Sequence, residues 1–128
     1  MMIVIERSVE EPVYEQIARQ IRESVAAGEL PAGSPLPTVR VMASDLGVNL
    51  NTVARAYWLR EEEGFVRIRD RSGVEVAAPV RKDAGDHAKL YQELRGVLAR
   101  LHQAGLSSDE LHCLAEREIA SLGGGSEK

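Results

Sequence analysis

The chain has 128 residues, the size of one ordinary domain or of a small domain with a helical appendage, which excludes a large multidomain enzyme. Its 44% apolar and 28% charged content lies near globular averages, and 4% aromatic content leaves the core to Leu, Val, Ile and Ala, a composition that favours packed helices. A net charge of -4 argues against a uniformly basic nucleic-acid binder but leaves room for a local basic face.

The opening run Met2-Ile3-Val4-Ile5 meets Glu6 at once and is too short for a signal-peptide core. From Pro12 to about Ala27, Val13, Ile17, Ile21 and Val25 recur in steps of four, which predicts an amphipathic helix with Gly28 at its end. Pro31, Gly33, Pro35 and Pro37 make the stretch from Glu29 to Pro37 a stiff, non-helical connection. Thr38 is a candidate N-cap for a short second helix through Asp45, with Val39, Met42, Ala43 and Leu46 inward and Gly47 ending it. Asn49 can cap a third helix through about Glu63, whose apolar face is Val53, Ala56 and Tyr57. Two short helices joined by a tight Gly-containing turn, the second opening on polar side chains, have the pattern of a helix-turn-helix.

Phe65-Val66-Arg67-Ile68-Arg69 alternates, Asp70 to Gly73 is turn-like, and Val74-Glu75-Val76 alternates again, which predicts a β-hairpin or wing. Val80 to Asp86 reads as a linker. A fourth helix is predicted from about His87 to Ala104, with Leu90, Tyr91, Leu94, Val97, Leu98 and Leu101 in a broad apolar stripe. Ser107 and Glu110 match a capping box that opens a fifth, carrying Leu111, Leu114, Ala115, Ile119 and Leu122. Two such helices cannot enclose their own stripes, and the linker separates them from the first core, so a second copy of the chain is the favoured cover. The fold class is therefore mainly α with a small β-wing. An N-terminal winged helix-turn-helix spans 1–79, a two-helix dimerisation region 80–122, and a disordered tail 123–128. Cys113, the single cysteine, cannot form an internal disulfide, so the expected setting is a reducing cytoplasm, with no membrane partner.

Pro12-Val13-Tyr14-Glu15-Gln16-Ile17, Gly28-Glu29-Leu30, Leu36-Pro37-Thr38-Val39-Arg40, Leu46-Gly47-Val48-Asn49, Asn51-Thr52-Val53, Ala56-Tyr57 and Glu63-Gly64 follow one another in an order that resembles the winged helix-turn-helix of GntR-family bacterial regulators. The likeness is strongest to the YtrA subfamily, whose small helical dimerisation region the last two helices fit. The resemblance implies a homodimeric repressor on a palindromic operator in double-stranded DNA. Too few residues follow Pro79 for the large effector domains of other branches, so a small-molecule effector would have to fit the helical region or its junction with the wing domain.

On chemical grounds, Asn51 suits a two-fold contact to adenine, Thr52 a phosphate or thymine methyl, and Arg55 a phosphate or guanine. Arg40 matches an arginine that contacts DNA in the family. Arg69 and Arg71 at the wing tip suit the minor groove or its phosphates, with Gly73 allowing the turn. Thr38 and Asn49 serve first as helix caps, a role compatible with DNA contact. Arg67 reads as a strand-face charge, Tyr57 as packing, and Glu61-Glu62-Glu63 as a solvated helix end. The sequence departs from the family pattern at Leu50, where relatives carry proline or arginine, and at Ala54, basic in some members. It departs again at Arg60, a core leucine position, and in the wing at Arg71 and Glu75. No histidine, cysteine or carboxylate cluster has nucleophile or ligand spacing, so no enzyme activity, metal or cofactor is expected, and His102, His112 and Cys113 read as surface residues. The competing reading is a winged-helix adaptor that docks a protein and binds no specific DNA.

Overall fold

The computed structural model describes residues 2–69, 73–79 and 84–122. The chain divides into two compact units, Met1–Pro79 and Val80–Leu122. Arg71, the linker residues 80–83 and the tail 123–128 lie outside the described residues.

In the first unit, α1 (Val13–Ala26) places Ile17, Ala18 and Ile21 in the core. It is followed by β1 (Pro35–Leu36), α2 (Val39–Leu46), α3 (Leu50–Glu62), β2 (Val66–Arg69) and β3 (Gly73–Val76). α3 packs on α1 and in turn carries α2 and β2, and Met42 and Ala43 of α2, Val53, Ala56 and Tyr57 of α3, and Leu36, Val66, Val74 and Val76 of the sheet are buried with the α1 residues in one cluster. Tyr57 is the largest fully buried side chain. Its hydroxyl donates to the Pro37 carbonyl, and burial pushes its pKa well above the ordinary phenol value.

The wing is more than the expected hairpin. The antiparallel sheet has three strands in the order β1-β3-β2, with Leu36 opposite Val74 and Val66 opposite Val76. β1 lies within the proline-rich connection, where two residues are too few for a period-2 signal; Pro35 is tolerated because β1 is an edge strand. The Gly33 and Val76 amide N–H groups extend the pairing to Val76 O at 2.8 Å and Ser34 O at 2.9 Å.

The residues before α1 form a strap. The Val4 N–H donates to Gln20 Oε1 at 2.9 Å and the Glu6 N–H to Gln16 Oε1 at 2.8 Å, while the two amide nitrogens donate back to the carbonyls of Val4 and Glu6. The buried Gln16 also donates to Glu11 O. Gln16 and Gln20 are one helical turn apart, so a single face of α1 holds two residues of an extended chain, and Ile3 and Ile5 are laid against the core.

The second unit is a helical pair, α4 (Ala84–Gln103) and α5 (Ser108–Ala120). α4 begins three residues before His87, inside the stretch assigned to a linker: one glycine, Gly85, costs a helix only about 1 kcal/mol and does not stop it. Ser107 and Glu110 form the reciprocal capping box, at 3.2 Å and 2.8 Å. No residue of α5 is buried, and on α4 Leu90 and Leu94 are 61% and 56% exposed. No helix among the described residues is long and apolar enough to cross a membrane.

Candidate nucleic-acid interface

The turn between α2 and α3 is fixed at both ends by local chemistry. Gly47 takes φ 68°, the left-handed conformation that lacks a penalty only without a side chain, and the amides of Gly47 and Val48 close back on Ser44 O and Ala43 O. Two residues later Asn49 Oδ1 accepts the Asn51 N–H at 2.7 Å and starts α3. At the other end of α2, Thr38 Oγ1 accepts the Val41 N–H at 3.1 Å. Thr38 and Asn49 are thus both helix caps in this fold.

With Val53, Ala56, Tyr57 and Arg60 turned into the core, Asn51, Arg55, Trp58 and Glu62 follow one another along the opposite, exposed face of α3. Thr52 is half-buried, and Leu50 at the start of the helix is exposed. Arg40, in the first turn of α2, is exposed and makes no ion pair among the described residues. Trp58 is 61% exposed, although its neighbours on either side in sequence are buried or half-buried.

Arg55 is held by a residue that the sequence pattern did not single out for the site. Its guanidinium carbon lies 3.7 Å from the ring centroid of Tyr14, in the first turn of α1. A flat guanidinium on an aromatic face gains cation–π attraction and loses rotamer freedom, so the side chain is pre-arranged at the protein surface. The Tyr14 hydroxyl donates to Glu15 Oε1 at 3.1 Å. No spacing rule links residues 14 and 55; only the packing of α1 on α3 brings them together.

The wing contributes less free charge than its composition suggested. Arg69 is engaged on two nitrogens by Glu75, Nε to Oε1 at 3.1 Å and Nη2 to Oε2 at 3.2 Å. Glu75 stands on β3 opposite Arg67, so the diagonal neighbour takes the carboxylate. Gly73 opens β3 at φ 93°, a backbone conformation that L side chains rarely adopt; a Cβ there would meet Thr38 Cγ2 at 3.4 Å, an ordinary contact, so the backbone angle rather than lack of space calls for glycine. The glutamate run at the end of α3 is not merely solvated. Glu61 Oε2 accepts the Ile68 N–H of β2 at 2.9 Å, and Glu63 pairs with Arg60 at 3.3 Å. Among the described residues no group of three or more His, Cys, Asp or Glu could hold a metal ion.

A helix-turn-helix with a capped, polar first turn on its second helix and a three-stranded wing is the layout of a winged DNA-binding domain. The sequence profile described as "Bacterial regulatory proteins, gntR family" matches residues 13–76, from the first residue of α1 to the last of β3. The chain belongs to the GntR family. GntR proteins are DNA-binding transcription regulators, not enzymes. The chain is 29% identical over 126 residues to the HTH-type transcriptional repressor YtrA of Bacillus subtilis, covering 97% of each protein. Among solved structures it is similar to a transcriptional antiterminator from Listeria monocytogenes EGD-e, with a TM-score of 0.78 and 30% identity over 100% of this chain and 98% of that one. It is also similar to YtrA from Sulfolobus acidocaldarius, a GntR-family transcription factor, with a TM-score of 0.66 and 36% identity over 80% and 99% of the two chains. The likenesses over 97% and 100% of the chain take in the helical pair as well as the winged unit.

Proposed function

We propose that the protein is a cytoplasmic, homodimeric transcriptional repressor that reads a palindromic operator with α3 and the wing, and that a small-molecule effector releases it. The observation that carries the DNA-binding part is the exposed first half of α3, where Asn51 stands unobstructed and Arg55 is pre-set on Tyr14. In this reading Asn51 pairs with adenine in the major groove, and Thr52 meets a phosphate or a thymine methyl. Arg55 and Arg40 take a guanine or the backbone. Thr38 and Asn49 keep their capping bonds and offer their remaining polar atoms to phosphates. Arg69, Arg71 and Gly73 form the wing contact, for which Arg69 must exchange Glu75 for DNA.

Dimerisation is supported by the helical pair, in which Leu90, Leu94 and Val97 stand exposed and Leu98, Leu101, Leu111 and Leu114 are only half-buried. A second copy covers them, and pairing two readers multiplies their affinity through effective concentration. Repression agrees with the role of YtrA from Bacillus subtilis, a transcriptional repressor.

The test is selection of bound sequences from a random duplex library by the purified protein, with affinity for the winner measured across salt. Enrichment of a palindrome with half-sites about one helical turn apart is expected, with log K falling by about 0.9 per unit of log salt for each phosphate neutralised. Absence of enrichment with weak, sequence-blind binding would favour a winged helix that docks a protein instead.

A further inference from the structure

Away from the exposed face of α3, a cleft of about 190 Å³ opens between α1 and the last turn of α3, with room for about six waters. Its polar lining is Glu11, Glu15, Arg19, Arg22 and Arg60. Glu11 and Arg19 are matched to each other, and Glu15 makes no ion pair among the described residues. Arg19 holds Glu11 through two bonds of 2.9 Å and 3.0 Å and reaches Glu23 at 3.6 Å, while Glu15 accepts from Tyr14. Arg60 is different. It is 6% exposed, and only its Nη2 has a partner, Glu63; Nε and Nη1 are buried without a hydrogen bond among the described residues. Arg22, exposed at the mouth, has no ion pair among those residues.

A buried cation with two idle donor nitrogens beside a second unpaired cation is an unfavourable arrangement that an anion would relieve. Burial disfavours the charge on Arg60, Glu63 offsets this in part, and the like charge of Arg22 adds to it. Arginine is suited to planar or tetrahedral oxyanions, since its donors are fixed in one plane and always charged.

We propose that this cleft binds a small oxyanion, the phosphate or carboxylate group of a metabolite-sized ligand, between Arg60 and Arg22. Engagement requires the Arg60 guanidinium to turn toward the opening about its terminal torsions, bringing idle donors onto the ligand while Glu63 keeps Nη2. The inference does not rest on the DNA-binding reading, because the cleft uses neither Asn51 nor Arg55.

Inorganic phosphate is the probe, titrated into the full chain at constant ionic strength while arginine Nε–H signals are followed by NMR. The Arg60 signal, identified by its loss in Arg60→Leu, is expected to shift saturably, and Tm to rise several degrees more in phosphate than in chloride. Arg60→Leu is expected to remove the extra rise in Tm. Arg22→Gln, a surface change that leaves the core intact, is expected to weaken the titration several-fold. A wild-type Arg60 signal that fails to saturate with phosphate, or an equal phosphate-dependent rise in Tm in Arg60→Leu, would overturn the proposal.

Discussion

Arg55 can serve DNA only if it is both free at the surface and fixed in place, and the Tyr14 ring meets both demands. Tyr14→Phe keeps the aromatic face and is expected to leave operator affinity nearly unchanged, while Tyr14→Leu removes it and is expected to weaken binding by about 0.5–2 kcal/mol. Kd values on the selected operator at fixed salt separate the two. Asn51→Ala is expected to relax preference at one base position by about 1–3 kcal/mol, read from the same affinities on single-base operator variants. Arg60 makes an opposite kind of prediction. Two of its three donor nitrogens are idle and its partner Glu63 stays about half exposed, so Arg60→Leu is expected to raise stability by about 1–4 kcal/mol, seen as a higher Tm in chloride. The family's leucine at this position was legible as a departure in the sequence; that the arginine would remain inward was not, because burial of a charge is decided by packing around it.

At the scale of elements, the caps were the most legible features. Thr38, Gly47, Asn49 and Ser107 each act through bonds to residues within a turn or so, so their sequence neighbourhood contains the whole mechanism. What the sequence hid were non-local partners. β1 exists because β3 reaches it, Arg69 is occupied because Glu75 lies diagonally across the sheet, and the glutamines of α1 matter because an extended strap passes over them. The strap supplies its own test. Gln16→Ala leaves backbone groups of Glu6 and Glu11 without their partner, so a loss of about 1–3 kcal/mol in urea unfolding is expected, with faster amide exchange at Glu6. Glu11 adds a pH signature. The Arg19 hydrogen bond holds its carboxyl below the ordinary glutamate value. The stability it contributes is present in full above that ordinary value and is lost as pH falls through the lowered one. Glu11→Gln is expected to remove this acid-side component from a plot of Tm against pH.

The whole molecule is two units with opposite needs. The winged unit closes a core around α1 and α3, whereas the helical pair presents leucines to solvent. Leu94→Glu or Leu98→Glu is expected to split a dimer formed through α4 while leaving the winged unit folded, and light scattering together with circular dichroism would register both parts. A monodisperse dimer in both variants would place the interface elsewhere. Half-sites about 34 Å apart are the matching expectation for the operator. Trp58, finally, is the only tryptophan in the chain and stands in line with Asn51 and Arg55, more than half open to water. Tryptophan emission, selected by exciting beyond the tyrosine absorption band, therefore arises from a single position in the sequence, on the very surface proposed to meet the operator. Unlabelled protein carries its own optical probe, one that responds when that helix is covered and has no second indole to dilute the signal.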